Sequence, residues 1–492
     1  MSAPGPQSRL PVLAGAGVAH QHEDDPAAAA EAIELMALAC ERAGEDAGRR
    51  ELLAAVDAVL VPQGSWPYRD PGRLLAERFG ASARTLVAQF GVLQQTLLAR
   101  ACAAIQRGDM DVVLVVGGEA KYRALRAAIT GTTAHDATQP TEVVPDDVLT
   151  PRHEIIPERE RVAGLRNAPL QYSLLETALR VARGETPAEN ARATARLWSA
   201  FSRVAAANPD AWRRDPVAPE LLEHPSPANP MLAAPYTKLH CSQWNVDQAA
   251  AFLLCSGDAA DRFGIADDRR VFPHALVESN DMVPVSERAH LHRAPAVTVG
   301  AGHIADRTGV DPADATFVDL YSCFPVAVRI QASELGIPAG RDLTVTGGMT
   351  FAGGPLNNYT FQALAAMVPR LRARPGSTGL VTCISGLVTK HAMALWSAAP
   401  PRAGCAIVDT SAETAAATER VDPVDDHRGP ATLEAYTVAH EDGRPAFVAA
   451  LARTADGRRA VVRSDDTDLA GDMTGEEWCA RSVAVDCATF RA

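Results

Sequence analysis

Cys383 closes an apolar run, Gly379 to Thr382, that reads as a buried strand. Open α/β sheets place their ligands beyond the ends of such strands. A thiol there could act as a nucleophile once ionised, or stand as one more small buried core residue. His391 follows in Thr389-Lys390-His391 and could serve Cys383 as a base; a partly exposed helix histidine is the plain alternative. His240 and Cys241 are chain neighbours whose side chains point apart, so they do not pair with each other. Either could meet Cys383 or a ligand across a pocket, and a core histidine with a satisfied hydrogen bond competes with that reading. Tyr321, Ser322 and Cys323 form a second cluster, with Tyr321 expected to line the pocket. Asn357 and Asn358 open a helix, where an amide either holds a carbonyl or, more commonly, caps the first turn.

Other chemistries lack their residue patterns. His135 and His153-Glu154 stand in no metal-ligand spacing, and HExxH is missing. His20-Gln21-His22 reads as a solvated loop. Gly117-Gly118 and Gly347-Gly348 are not followed by Lys-Ser/Thr, and there is no GxGxxG, so neither a P-loop nor a dinucleotide site is expected. No metal and no nucleotide redox cofactor is anticipated.

The elements that must position these groups are short apolar strands alternating with helices, the mark of an α/β fold with sheets buried on both faces. Leu10 to Val18 reads as a strand, Asp25 to Ala43 as a helix capped at Asp24-Asp25-Pro26, and Val56 to Pro62 as another strand. One pattern occurs twice. Gly91-Val92-Leu93-Gln94-Gln95 leads into a helix to about Gln106, a turn at Arg107-Gly108-Asp109 and a strand, Asp111 to Val116. Gly354-Pro355-Leu356-Asn357-Asn358 leads into a helix to about Leu371, a turn at Arg374-Pro375-Gly376 and a strand ending in Cys383-Ile384-Ser385-Gly386. A duplicated α/β unit would bring the two helix starts together at a pseudo-twofold axis. Their free N–H groups and partial positive charge suit a thioester carbonyl or a developing oxyanion.

From Lys121 to about Pro235 the alternation stops in favour of Pro-rich turns and amphipathic helices such as Asn190 to Ala207. After Pro400-Pro401, runs at Ala431 to Ala439, Ala446 to Arg453 and Arg459 to Arg463, with an Asp442-Gly443 turn, suggest a small β-rich domain. The expected boundaries are therefore 1–265 for a first half, carrying an insertion at about 121–235, then 266–400 for a second half and 402–492 for the β-rich addition. The chain has 492 residues, 47% hydrophobic and 22% charged, enough for a large core. Its net charge of −13 argues against nucleic acid as the main partner. Lys121, Arg123 and Arg126 make a local basic stretch, read here as a solvated helix face. Nine cysteines with no CxxC fit a reducing compartment. The polar, Pro-rich Met1 to Arg9 has no apolar stretch of a secretion signal, and no run approaches a membrane span of ~20 apolar residues, so the expected location is the cytoplasm.

At these residues the chain resembles the thiolase superfamily, over roughly Leu10 to Ala398. The segments that carry the likeness occur in family order: Gly108-Asp109-Met110-Asp111, Val246-Asp247-Gln248-Ala249-Ala250, Leu291-His292-Arg293-Ala294-Pro295-Ala296, Val318-Asp319-Leu320-Tyr321-Ser322-Cys323-Phe324, Gly347 to Pro355, and Cys383-Ile384-Ser385-Gly386. The extra C-terminal region makes it similar to thiolase-like proteins of type 1. The resemblance implies a five-layered αβαβα core, an inserted loop domain, and coenzyme A or acyl-CoA as ligand in acyltransferase chemistry of lipid metabolism. It also implies a monomer or a homodimer.

A working thiolase of this family uses a nucleophilic cysteine at the first helix start, an activating histidine in Gly-His-Pro, a second cysteine in Cys-x-Gly, and an asparagine that positions the oxyanion water. Carried onto this sequence, the nucleophile falls at Gly91 or within a residue or two, the histidine at Gly354, and the asparagine at Tyr321. Only the second cysteine survives, as Cys383. Ordinary thiolase turnover is therefore not expected. Tyr321, Ser322, Asn357, Asn358, Gly91, Gly354 and Ser385 remain as substrate-binding candidates, with Cys383, His391 and His240 as catalytic ones. A thioester processed through a residue such as Cys383 and a non-catalytic acyl-CoA-binding or scaffold protein are both compatible with these residues. So is a chain whose C-terminal region stands in for a small β-barrel partner subunit.

Overall fold

The computed structural model describes residues 8–492. The first half supplies β1 (Pro11–Gln21), β2 (Ala58–Pro62), β3 (Arg84–Ala88), β4 (Val112–Ala120) and β5 (Asp147–Leu149). β6 (Met231–Ala234) and β7 (Tyr236–Thr237) precede β8 (Asp247–Ser256), which returns to the first sheet. The second half supplies β9 (Phe272–Ser279), β10 (Phe317–Asp319), β11 (Thr378–Ser385), β12 (Lys390–Ser397) and β13 (Ala406–Asp409). β14 (Arg428–Glu441), β15 (Arg444–Thr454), β16 (Arg459–Ser464), β17 (Ser482–Asp486) and β18 (Thr489–Arg491) follow. Seven helices matter to the site: α1 (Ala32–Asp46), α2 (Gln95–Arg107), α3 (Ala168–Ala182), α4 (Pro187–Ala207), α5 (Pro295–Thr308), α6 (Pro325–Glu334) and α7 (Tyr359–Ala373).

The two halves repeat one topology. The first sheet runs β1-β8-β4-β2-β3-β5 and the second β10-β11-β12-β9-β13. In the first, β1–β8 and β8–β4 are antiparallel and β4–β2 parallel. In the second, β9–β12 and β12–β11 are antiparallel and β11–β10 parallel. Each half therefore builds its helix–turn–strand copy, α2 into β4 and α7 into β11, at the equivalent place in its own sheet. α1 covers the outer face of the first sheet, α2 and α7 lie between the sheets, and α5 covers the second, which gives five layers, αβαβα. β4 and β8 are buried along nearly their whole length, as their unbroken apolar sequences require. α1 approaches β1 so closely that a Cβ at Gly15 or Gly17 would stand 2.0 Å from the carbonyl oxygen of Ala43 or Ala39. Only glycine fits there.

The first helix starts later than its composition suggested. α1 begins at Ala32, not Asp25, because Asp25 closes a separate turn. Its side chain accepts the Ala27 N–H at 2.9 Å, its carbonyl accepts those of Ala28 and Ala29, and Gln21 then clamps both backbone groups of Ala30. α4 starts at a complete capping box, Thr186 with Glu189.

The third sheet runs β15-β16-β18-β17-β14-β6-β7 and so takes two strands from residues 231–237. β13 pairs in parallel with β9 of the second sheet. The Arg459 guanidinium, nearly fully buried, donates to the carbonyls of Val285 and Arg288 at 3.1 and 2.6 Å. The strands beyond residue 402 are thereby sewn to both earlier segments. Beneath them, Arg329 of α6 meets Glu176 of α3, and Tyr236 donates to the same carboxylate at 2.6 Å. Among the described residues no helix is long and apolar enough to cross a membrane.

Candidate active site

The two helix starts meet through one side chain. Gln94, buried just ahead of α2, accepts the backbone N–H of Thr360, in the first turn of α7, on its Oε1 at 2.7 Å. An amide from the first copy thus caps the helix of the second. Asn357 and Asn358 do not cap it, contrary to expectation: α7 has no side-chain cap from Asn358. Both polar atoms of the Asn358 amide and the Nδ2 of Asn357 are buried without a hydrogen-bond partner. The reason is steric. The Asn358 Oδ1 lies over Gly117, where it would be 2.6 Å from a Cβ, and so points to the end of β4 rather than back to its own helix.

Cys383 sits where these starts converge. It is 1% exposed and packs against Leu93 and Ala392. Burial raises its thiol above the ordinary value, while the nearby Thr360 hydroxyl and the backbone N–H groups of Gln95 and Gln94 pull the other way without cancelling it. Two helix starts therefore direct donors at one sulfur, the geometry that favours a thiolate or any oxygen that takes on charge there. Gln95 anchors α2 by donating to the carbonyls of Val277 and Met393 at 3.2 and 3.0 Å, and leaves its own Oε1 without a partner.

The register of the second sheet decides what can reach the thiol. Ile384 stands opposite His391, and Cys383 opposite Ala392. Because side chains alternate faces, His391 projects from the face opposite to Cys383. The expected base is thus on the wrong side of the sheet, on a strand and not a helix. Its Nε2 meets the Gln331 amide at 3.1 Å, and burial alone lowers its pKa to about 3, so the ring is neutral. His240 does not reach Cys383 either. It lies in a short 3-10 turn, its Nδ1 is 2.9 Å from the Thr237 hydroxyl, and burial alone lowers its pKa to about 4. Its Nε2 has no partner.

Tyr321 does line the centre. Its ring meets Tyr359 edge-on at 5.5 Å, and its phenol is pushed well up by burial, with the thiols of Cys383 and Cys323 adding to the shift and a hydrogen bond with Gln94 opposing it. Ser322 is spent on structure: its hydroxyl accepts the Met349 N–H at 3.1 Å and bonds the Tyr359 hydroxyl at 3.3 Å. The Gly91 carbonyl accepts Lys390 Nζ and, at 3.4 Å, the Ser385 hydroxyl. Gly91 itself lies outside the helix, whereas Leu93, two residues on, is the residue whose side chain touches Cys383. Gly354 is held by its N–H to Gln243 at 2.9 Å; a Cβ there would stand 3.3 Å from the Met349 methyl.

The comparisons with known proteins agree with this geometry. The chain is similar to a monomeric SCP2-thiolase-like protein type 1 from Mycobacterium smegmatis, at a TM-score of 0.83 and 26% identity, covering 98% of this chain and 99% of that one. The chain has a thiolase-like fold. An aldolase, Ltp2–ChsH2(DUF35), shares the fold at a TM-score of 0.60 and 17% identity over 79% of this thiolase-like chain and 98% of that one. An acetyl-CoA acetyltransferase of Methanocaldococcus jannaschii is 28% identical over 105 residues, 21% of this chain and 26% of that enzyme, so the match spans about a quarter of the relative. No family model matches.

Sequence reasoning missed Glu278, Lys390 and Gln94. Lys390 is 5% exposed at the start of β12, and Glu278, largely buried near the end of β9, accepts the Thr96 hydroxyl at 2.8 Å and the Asn280 amide at 3.2 Å. A charge set in each of two otherwise apolar runs was the available signal. Arg123 is not the solvated cation expected of its helix: it is buried and paired with Asp136 at 2.7 Å.

Proposed function

We propose that this chain binds a coenzyme A thioester, with the thioester carbonyl at the paired helix starts beside Cys383, and that it does not run ordinary thiolase turnover. One observation carries the reading: the side chain packed on Cys383 at the first helix start is Leu93, an alkyl group, and the second start presents Gly354. Neither can form an acyl-enzyme or activate one. The unpartnered polar atoms of Gln95, Asn358 and Thr360 around the same starts supply hydrogen-bonding capacity for a carbonyl. Acyl-CoA should raise the melting temperature without being consumed, and acetoacetyl-CoA with CoA should give no thiolysis. Thiolysis that disappears in Cys383→Ala would overturn the proposal.

A second reading, acyl transfer or condensation through Cys383, is favoured by the Thr360 hydroxyl and the Gln94 and Gln95 N–H groups, whose nearness draws the thiol pKa down against burial. Its mark would be a covalent acyl adduct on Cys383 after incubation with acyl-CoA. The chain acts as a monomer in this proposal, since β5 occupies the outer hydrogen-bonding edge of β3; light scattering that gives twice the chain mass would reject that part. A reducing cytoplasm suits its nine free cysteines.

A further inference from the structure

The register that turns His391 away gathers other groups on the inner face. Cys383, Ala392, Glu278 and Asp409 lie opposite one another across β11, β12, β9 and β13, so all four project from one face. Lys390, two residues before Ala392, shares that face. Since hydrogen-bonded neighbours are ~4.5–5.5 Å apart between Cα atoms, Cys383 and Glu278 are roughly 10 Å apart, with only the methyl of Ala392 between them. From Glu278 outward the row opens into a cleft of about 300 Å³ beside α2, whose lining includes Thr96, Arg100, Arg152, Glu278, Asn280 and Lys390.

The charges in this cleft are not evenly spent. Both Glu278 oxygens are engaged, by Thr96 and Asn280, and the Asp409 carboxylate takes the N–H and hydroxyl of Ser411. The cations are not matched in the same way. Lys390 donates to one carbonyl, that of Gly91, and makes no ion pair within 4 Å. Arg152, exposed at the mouth, has no hydrogen bond or ion pair among the described residues, and its charge acts against that of Lys390. Arg100 has only a long contact of 3.9 Å to Asp147. Glu278 offsets part of the Lys390 charge, but it forms no ion pair with it, and Arg152 opposes that charge, so an anion between the two cations is favoured.

We propose that this cleft is a carboxylate-binding subsite, in which Lys390 and Arg152 hold the distal carboxylate of the acyl group whose thioester end lies at Cys383. The link to the thioester rests on the function proposed above; the anion site does not. The ligand class is thus a short acyl chain ending in a carboxylate, rather than a plain alkyl acyl group.

The test uses the full chain with two matched pairs: succinate against succinamide, and succinyl-CoA against butyryl-CoA, by calorimetry. Succinate should bind at least tenfold more tightly than the uncharged succinamide, as expected for charge-assisted hydrogen bonds, and succinyl-CoA more tightly than butyryl-CoA. Arg152→Ala, at an exposed position, should lower succinate affinity about tenfold with the melting temperature unchanged, and Lys390→Met should lower it further. Equal binding of succinate and the uncharged succinamide, or succinate binding retained in Arg152→Ala, would overturn the subsite even if Lys390→Met fails to fold. Butyryl-CoA that binds as well as succinyl-CoA sinks the subsite and leaves the thioester reading standing. Succinate that binds through Arg152 while neither thioester binds sinks the thioester reading and leaves the anion site.

Discussion

Replacing Leu93 by cysteine asks whether the first helix start lacks only its nucleophile. Leu93 is 1% exposed and its side chain clusters with Cys383 and Ala392 alone. Trimming it to cysteine removes two carbon-sized groups, which at ~0.8 kcal/mol per buried methylene plus a residual-cavity cost amounts to about 2 kcal/mol of stability. A chain of this size tolerates that loss, and a modest fall in the urea midpoint should record it. In exchange the variant gains a thiol at the N-terminus of α2, beside the backbone N–H groups of Gln94 and Gln95. Mass spectrometry after incubation with acetyl-CoA should find an acetyl adduct on the residue 93 of Leu93→Cys and none at that position in the parent. Thiolysis of acetoacetyl-CoA should stay near background, since no base stands within reach: His391 is behind the sheet and Gly354 has no side chain. Adding Gly354→His, which the 3.3 Å approach of Met349 permits after a shift of a few tenths of an ångström, should raise the rate by the ~10²–10⁴-fold typical of a positioned general base. A folded Leu93→Cys that takes no acyl group at all, or a parent chain that already turns over, would refute the reasoning.

Three further outcomes follow from the same geometry. Iodoacetamide on the native chain should label the partly exposed Cys487 before Cys383, whose raised pKa moves any reaction to higher pH; fast labelling of Cys383 at neutral pH would contradict its burial. His391 and His240 have folded pKa values of about 3 and about 4, below the unfolded 6.5, so the unfolded chain binds more protons across that window and stability must fall as pH drops below about 6.5. Each contributes at most ~1.4 kcal/mol per pH unit until its folded pKa is reached, and His391→Gln with His240→Gln should flatten the plot of urea midpoint against pH; an unchanged slope would remove burial as the cause. Truncation after Pro400 strips β13 from β9 and β14 from β6, and it removes the Arg459 contacts to Val285 and Arg288. It should give an aggregating chain, and a soluble fragment with native circular dichroism would show the tail to be an independent unit.

What was legible in the sequence was whatever local chemistry dictates. The two helix–turn–strand copies stood out because Gly108 and Gly376 end their helices or turns in the left-handed region and apolar strands follow at once. The departures at Gly91 and Gly354 came instead from carrying the thiolase motifs onto this sequence, not from local chemistry. What was not legible depended on register and on long-range pairing. Cys383 and His391 are close in sequence, and only the offset of β11 against β12 reveals that they face opposite ways. Asn358 had the right residue type for a cap, yet Gln94, far away in sequence, takes the Thr360 N–H. Pro26 signalled a helix start, and the competing turn at Asp25 displaced it. Glu278 and Lys390 sit on strands that no local pattern joins, so their common face appears only once β9, β12 and β11 are paired.

The same register explains why one surviving cysteine is not a remnant of chemistry by itself. A thiol at two helix starts has donors but needs a proton acceptor on its own side of the sheet. On that face the titratable neighbours are Lys390 and Glu278, and both lie toward the cleft rather than between Cys383 and Leu93. Lys390 is held off its ordinary pKa by burial and tied to the Gly91 carbonyl, and Glu278 is raised by burial with both oxygens occupied. In the binding mode proposed above, charged groups so placed act chiefly on the far end of a ligand whose carbonyl is at Cys383. The face is thus divided: helix dipoles and backbone N–H groups at one end, Lys390 and Arg152 without ion pairs at the other, and the buried methyl of Ala392 between them. That division favours recognition of a ligand polar at both ends over transfer of its acyl group.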